Sequence, residues 1–440
     1  MRYHIWTEGC QMNVADSRRI ARSLESLGYQ ATLDPKEADV IVLNTCVVRQ
    51  SAEDKALGRL SSLKPLKKNN PDLVINLMGC LVGVQENQAI QARFPWVDVF
   101  SQPSDPTPLL EFLAKRQGAQ SAGAWRQQID AILDQEFGVS TPDQSRAVSE
   151  NLPVVLGCSH ACTYCVIPLR RGRERSRSAE KILNEAKIMA SQGVREVVLL
   201  GQIIDRYGLD LPGSPYLPEL LEKLSGIPGL LRLRFLTSHP NWMTNELLQA
   251  VVSLPKVMPH IEVPIQAGDD EILAAMHRGY TNQQYRDLVA RLRETIPGVS
   301  IATDIIVGFP GETEAAFQKT YDLLADLKLD VAHLARYSPR PGTYATRFLP
   351  DDVPPEEKMR RFRLLEYLQE SITAELNQQY LGQSLPVLFE DQSKGRWRGR
   401  TPTNRIVFVE TEKNLLGQEK DITITWTGPW SLLGDLAPTP

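Results

Sequence analysis

Leu152-Pro153-Val154-Val155-Leu156-Gly157-Cys158-Ser159-His160-Ala161-Cys162-Thr163-Tyr164-Cys165 joins a strand-like apolar run to three cysteines spaced C-x3-C-x2-C. Three thiolates on one tight loop converge on a metal centre without long-range chain closure. Three ligands leave one coordination position open. A structural zinc site is normally closed by four ligands, so the missing fourth cysteine points to an iron–sulfur cluster with an exposed iron. His160 is the alternative, zinc-type fourth ligand. Lying between two ligand cysteines, its ring would have to fold back; otherwise it faces solvent or packs.

Downstream, strand patterns recur at Glu196 to Gly201, Leu231 to Thr237, Ile261 to Gln266, Ser300 to Val307 and Val331 to Tyr337. Helical patterns lie between them, at Ala179 to Gln192, Leu217 to Leu224, Glu271 to His277, Gln283 to Thr295 and Glu314 to Leu327. With Leu152 to Gly157 as first strand, this alternation predicts a partial (β/α)6 barrel, with the cysteine loop on the face where barrel enzymes carry their chemistry. A stripe of Met359, Phe362, Leu365, Leu368, Ile372 and Leu376 then predicts an outer helix. Short β runs at Pro386 to Glu390, Ile406 to Glu410 and Ile422 to Trp426, broken by glycines, predict a small antiparallel β-barrel.

Upstream, Cys10, Cys46 and Cys80 each end a strand-like run, and helical patterns follow the first two. A βα repeat implies an open parallel sheet whose carboxyl edge gathers the strand ends. The three cysteines therefore meet as a second metal site, the small Gly9, Thr45 and Gly79 before them leaving room for a cluster, or they are three buried free thiols. The α/β chain thus reads as residues 1–140, an N-terminal open parallel sheet domain; 141–378, the barrel; and 379–440, the C-terminal β-barrel. Ser101 to Ser149 reads as a partly helical linker.

In 440 residues, 42 % hydrophobic and 23 % charged, no apolar run approaches a bilayer span, and the start lacks the basic and apolar regions of a signal peptide. A cytoplasmic, non-membrane protein is expected, and six cysteines are too few for a disulfide scaffold. The net charge of −4 excludes a generally basic nucleic-acid coat. Two segments reverse that sign locally. Arg170, Arg171, Arg173, Arg175 and Arg177 stand beside the cysteine loop against Glu174, as a phosphate clamp or as solvated, paired arginines. Arg396, Trp397, Arg398 and Arg400 interleave an aromatic ring with cations, in the style of small RNA-binding barrels.

The cysteine loop and its strand resemble the radical S-adenosylmethionine superfamily, and the whole chain resembles its methylthiotransferase family. The resemblance rests on Glu8-Gly-Cys-Gln-Met-Asn13, Asn44-Thr-Cys46, Gly79-Cys80, the C-x3-C-x2-C loop, Ser238-His-Pro240, Asp304-Ile-Ile-Val-Gly-Phe-Pro-Gly-Glu-Thr313 and Tyr337-Ser-Pro-Arg-Pro-Gly-Thr343. It implies an N-terminal cluster domain, a radical barrel and a TRAM domain. One [4Fe-4S] cluster would sit on Cys158, Cys162 and Cys165 and another on Cys10, Cys46 and Cys80, with S-adenosylmethionine as radical source and methyl donor. Tyr164, Gly201 and Gln202 become candidate contacts to S-adenosylmethionine, Tyr164 alternatively packing under the loop. Asn44-Thr-Cys-Val-Val-Arg49 with Ala52-Glu-Asp-Lys55 is similar to the branch acting on transfer RNA that carries N6-dimethylallyladenosine.

The implied partners are a tRNA anticodon stem-loop, a reductant such as flavodoxin or ferredoxin and a sulfur donor, the enzyme being a monomer. Leu156, Ser159, Gly201 to Gly208 and Ala267 depart from the commonest family versions without touching a cysteine. The competing readings are methylthiolation of another modified adenosine or a ribosomal protein and, in a different class, a non-catalytic zinc-containing RNA-binding protein.

Overall fold

The computed structural model describes residues 1–48, 50–84, 88–116 and 147–437, so Arg49 and most of the expected linker lie outside the described residues. Two compact units divide the chain: Met1–Arg146 with Asn151–His160 and Val166–Gln192, and Ala147–Glu150 with Ala161–Cys165 and Gly193–Pro440.

The first unit is built on a five-stranded sheet of β1 (Arg2–Thr7), β2 (Gln30–Ala31), β3 (Val40–Thr45), β4 (Val74–Gly79) and β5 (Val99–Ser101), in the order β2-β1-β3-β4-β5. Every pairing is parallel. Strands β3 and β4 are buried along their whole length, as expected where helices cover both faces of a parallel sheet. Ile41, Leu43, Ile75 and Leu77 face Leu60 and Leu63, while Val40, Val42, Val74 and Met78 face Ile20 and Leu24. Those partners come from helices Gln50–Asn69 and Gln11–Ser26. The three expected strands are present, and β2 and β5 add short edges.

The expected strand Leu152 to Gly157 is two pieces, β6 (Ser149–Pro153) and β7 (Val155–Leu156), the second paired antiparallel with β8 (Arg175–Ser176). Pro153 has no amide hydrogen to continue a ladder, and the Val154 carbonyl accepts from Arg177 N at 2.9 Å instead.

In the second unit, β9 (Glu196–Leu200) pairs parallel with β10 (Arg232–Leu236), and β6 lies on the other side of β9. The second sheet, β11 (His260–Glu262), β12 (Ser300–Val307) and β13 (Val331–Arg336), is also parallel. Strand β11 stops short of the expected Gln266 because Pro264 interrupts the ladder, which resumes as one bridge from Gln266 to Ile305. The expected helices form, and Asn245–Ser253, capped by Thr244, joins them.

The long helix Pro355–Gln378 buries a face displaced from the expected apolar stripe: Lys358, Arg361, Leu365, Gln369, Ile372, Thr373 and Asn377. Three of its polar members explain this. Arg361 Nη1 donates to Glu312 Oε2 at 2.8 Å, Gln369 Nε2 to Leu329 O at 3.0 Å and Asn377 Nδ2 to Gly428 O at 2.7 Å.

The C-terminal strands β14 (Ser384–Ser393), β15 (Arg396–Arg400), β16 (Ile406–Val409), β17 (Glu419–Thr427) and β18 (Leu432–Leu436) close a barrel in the order β14-β15-β16-β18-β17. It is the expected antiparallel barrel, with one parallel pairing, β16 with β18. Two buried arginines of β10 hold this part. Arg232 Nη1 donates to Arg400 O at 2.6 Å, and Arg234 Nη2 to Thr401 O at 2.8 Å. Arg234 also pairs with Glu196 at 2.8 Å, both side chains being 3 % exposed. Arg234→Met leaves a buried carboxylate uncompensated, and chemical denaturation should read a loss of about 3–5 kcal/mol.

Candidate functional site

The carboxyl ends of β1, β3 and β4 lie along one edge of the sheet, with Thr7 opposite Asn44 and Thr45 opposite Gly79. Cys46 and Cys80 follow β3 and β4 directly, and Cys10 is the N-cap of helix Gln11–Ser26. The turns need glycine for the backbone's own packing: a Cβ on Gly79 would meet Thr45 O at 2.5 Å, and one on Gly9 would meet Asn13 Oδ1 at 2.5 Å.

A buried amide lattice fixes the edge. Asn13 Nδ2 donates to Asn44 Oδ1 and to Thr45 O, each at 3.0 Å, Asn44 Nδ2 to Ser17 Oγ at 2.9 Å, and Thr45 Oγ1 to Met78 O at 2.8 Å. The Cys46 thiol hydrogen-bonds Cys10, and with Arg171 nearby this lowers the Cys10 thiol to about 6. The same hydrogen bond, with burial, raises Cys46, and burial raises Cys80. Three adjoining soft donors, two of them enclosed, with a cation beside them, fit an iron–sulfur cluster.

Of the loop cysteines, Cys158 belongs to the first unit and Cys162 and Cys165 to the second. In the first unit, Cys158 N donates to Gly172 O at 3.1 Å, Glu174 N to Ser159 Oγ at 3.0 Å, and His160 N to Cys158 Sγ at 3.4 Å. In the second, Arg278 Nη1 donates to Cys162 Sγ at 3.1 Å, Cys165 N to Cys162 O at 3.1 Å, and Thr163 Oγ1 to Ala275 O at 2.7 Å. Three soft sulfur donors on one short loop, one of them accepting from a guanidinium, also fit a cluster. Among the described residues, no three or more His, Cys, Asp or Glu side chains converge as ligands of a single metal ion. Thiolates that each bind a separate iron of a cluster require no such convergence.

Tyr164 packs edge-on against Phe309 at 6.3 Å, and Phe309 against Tyr337 at 5.3 Å, so the ring has a packing partner in the Gly308 to Glu312 turn. Gly201 and Gln202 directly follow β9, Gly201 buried and Gln202 half-buried. Arg278, 5 % exposed, carries no motif signal in the sequence.

The arginine clusters divide by burial. Arg173 and Arg175 are exposed. Arg170 lies against Gly83, and Arg177 pairs with Glu185 at 2.6 Å. Arg171 is enclosed, paired with buried Asp16 at 3.2 Å, which removes it from the expected phosphate-binding surface. In β15, alternation sends Arg396, Arg398 and Arg400 outward and Trp397 inward, where it packs with Val387, Phe389 and Val409 at 7 % exposure. Trp397 is therefore a core residue and not a stacking surface. Trp426 and Trp430, 49 % and 62 % exposed, present the aromatic faces instead. The outward arginines have carboxylate neighbours: Arg396 with Glu410 at 3.5 Å, Arg398 with Asp391, and Arg400 with Glu390 at 3.2 Å.

A cysteine triad after the first strand of parallel βα layers, with a separate sheet before it and a closed barrel after it, defines a radical S-adenosylmethionine protein with two accessory parts. The family models agree: the radical SAM superfamily matches residues 152–324, the uncharacterized protein family UPF0004 matches 2–101, and the TRAM domain matches 378–437. A tRNA-2-methylthio-N(6)-dimethylallyladenosine synthase of Roseiflexus sp. (strain RS-1) is 47 % identical over 99 % of this chain and 90 % of its own. The protein of the same name from Chloroflexus aurantiacus is 46 % identical over 98 % and 91 %. The chain belongs to the tRNA-2-methylthio-N(6)-dimethylallyladenosine synthase family. Among solved structures, the radical S-adenosylmethionine methyltransferase TsrM from Kitasatospora setae, with cobalamin and a [4Fe-4S] cluster bound, shares the fold at TM-score 0.59 and 13 % identity. The match covers 90 % of this chain and 80 % of that one.

Proposed function

We propose that this protein replaces the C2 hydrogen of N6-dimethylallyladenosine, next to the tRNA anticodon, with a methylthio group, using one S-adenosylmethionine as methyl donor and one as radical source. The observation that carries this reading is the pair of thiol triads, each built beside a buried arginine, Arg171 for one and Arg278 for the other. An aromatic C–H bond is beyond acid–base side chains, and a reduced [4Fe-4S] cluster with its bound S-adenosylmethionine supplies the radical chemistry that breaks it.

The chain's own residues do the rest. Cys158, Cys162 and Cys165 would hold the radical cluster, and Cys10, Cys46 and Cys80 the cluster that handles sulfur. Arg278 holds Cys162, and Gly201, Gln202 and Tyr164 would contact S-adenosylmethionine. The working division is 1–140 for sulfur, 141–378 for radical generation and 379–440 for RNA, supported by the three family matches at 2–101, 152–324 and 378–437. Arg173, Arg175, Arg396, Arg398 and Arg400 serve phosphates, and Trp426 and Trp430 stack unpaired bases.

A flavodoxin or ferredoxin as reductant, a separate sulfur donor, a monomeric state and a cytoplasmic location complete the reading. No described helix is long and apolar enough to cross a membrane. Anaerobic purification tests the reading: brown protein with iron and labile sulfide supports it, and colourless protein containing only zinc overturns it. Reversing Arg396, Arg398 and Arg400 to Glu should weaken anticodon stem-loop binding and flatten log K against log salt by roughly 0.7–0.9 for each phosphate left unneutralised. An unchanged slope removes this strand from the interface.

A further inference from the structure

Helix Ile167–Arg171 ends by inserting its last side chain beside the N-terminal cysteines. Arg171 Nη1 donates to Asp16 Oδ2 at 3.2 Å and to Ser104 Oγ at 3.4 Å, and Ser104 Oγ donates to Asp16 Oδ1 at 2.6 Å. The Arg171 and Asp16 side chains are 3 % and 2 % exposed. The guanidinium charge opposes the burial that raises the Cys80 thiol and helps to lower Cys10. Its Nη2 is buried and has no hydrogen-bond partner.

A guanidinium is a planar fork suited to two-armed recognition of anions. One arm is filled and locked by Asp16 and Ser104. The other is withdrawn from water and left open beside thiols, an arrangement that costs free energy unless an acceptor occupies it. Asp16 balances the guanidinium charge, so what the open arm lacks is a hydrogen-bond acceptor, and a soft anion at the triad is the strongest acceptor that site can hold.

We propose that Arg171 binds, through Nη2, the sulfur anion handled at the N-terminal triad, a hydrosulfide or methanethiolate. This rests on the reading of Cys10, Cys46 and Cys80 as cluster ligands. The assignment gives Arg171 the part of a sulfur-binding residue and Asp16 that of the residue that positions it.

The test uses the full chain, reconstituted anaerobically in a C158A/C162A/C165A background so that only N-terminal iron reports. Hydrosulfide and methanethiolate are titrated separately, and the electron paramagnetic resonance spectrum of the reduced protein reads binding. Arg171→Met should raise Kd for at least one anion by about 10- to 100-fold, the loss expected for a charge-assisted hydrogen bond. Arg171→Lys, which keeps the charge and loses the fork, should fall between. Weakening with hydrosulfide places Arg171 at sulfur loading, and weakening with methanethiolate places it at transfer; either supports the proposal. If Arg171→Met fails to hold iron, Arg171→Lys and Asp16→Asn carry the comparison at matched iron content. Unchanged Kd for both anions in the iron-loaded variants overturns the proposal alone. Absence of iron from the background protein overturns the cluster reading and the proposal with it.

Discussion

Replacing Cys158, Cys162 and Cys165 with alanine should abolish reductive cleavage of S-adenosylmethionine, and replacing Cys10, Cys46 and Cys80 should leave cleavage measurable while stopping methylthio product. The effect is all-or-none because no acid–base side chain substitutes for the electron that cleaves a sulfonium. The separation follows from how the triads are built. Cys10, Cys46 and Cys80 are held by strand ends and by the Asn13–Asn44 lattice, while Cys162 and Cys165 hang on Thr163 and Arg278. Quantifying 5′-deoxyadenosine and methylthiolated nucleoside in one reaction checks both halves. Wild-type product formation by the N-terminal triple variant, without added sulfide, would show that the two triads do not divide the work.

The second large effect concerns substrate choice. A site selecting the prenylated base covers the five-carbon dimethylallyl group with apolar surface, and an unmodified adenosine forfeits that burial. At about 0.8 kcal/mol per buried CH2, full burial is worth about 4 kcal/mol, roughly a thousandfold in kcat/KM. Anticodon stem-loops with and without the prenyl group, compared in vitro at limiting substrate, read this directly. Equal rates, or reaction only with a carbamoylthreonyl-adenosine loop or a ribosomal protein, would move the chain to another branch and leave its radical chemistry standing.

Features that depend on local period were legible in the sequence. The parallel strands that end just before Cys46 and Cys80 are mostly apolar runs, and their placement at one edge follows from parallel topology alone. Arg171 was not legible. Nothing in Arg170-Arg-Gly-Arg-Glu-Arg-Ser-Arg177 distinguishes a solvated arginine from a buried one, because the deciding partner, Asp16, is 155 residues away.

Trp397 is a different kind of miss. Arg-Trp-Arg-Gly-Arg is a period-two pattern, and reading it as a strand places the tryptophan inside and the arginines outside. Its composition suggested exposure; its periodicity specified burial. The long helix shows the converse: Arg361, Gln369 and Asn377 look like a solvent face until their partners Glu312, Leu329 and Gly428 are in place. Strand β2, two residues long, lies below what any pattern resolves.

The most direct test of the central claim is nucleoside mass spectrometry of bulk tRNA from a strain in which this gene is deleted and then restored. The account predicts that 2-methylthio-N6-dimethylallyladenosine disappears on deletion, that N6-dimethylallyladenosine accumulates in its place, and that restoring the wild-type gene, but not the Cys158/Cys162/Cys165 alanine variant, reverses both changes. Undiminished methylthio nucleoside in the deletion strain, or its return with the triad variant, would contradict it.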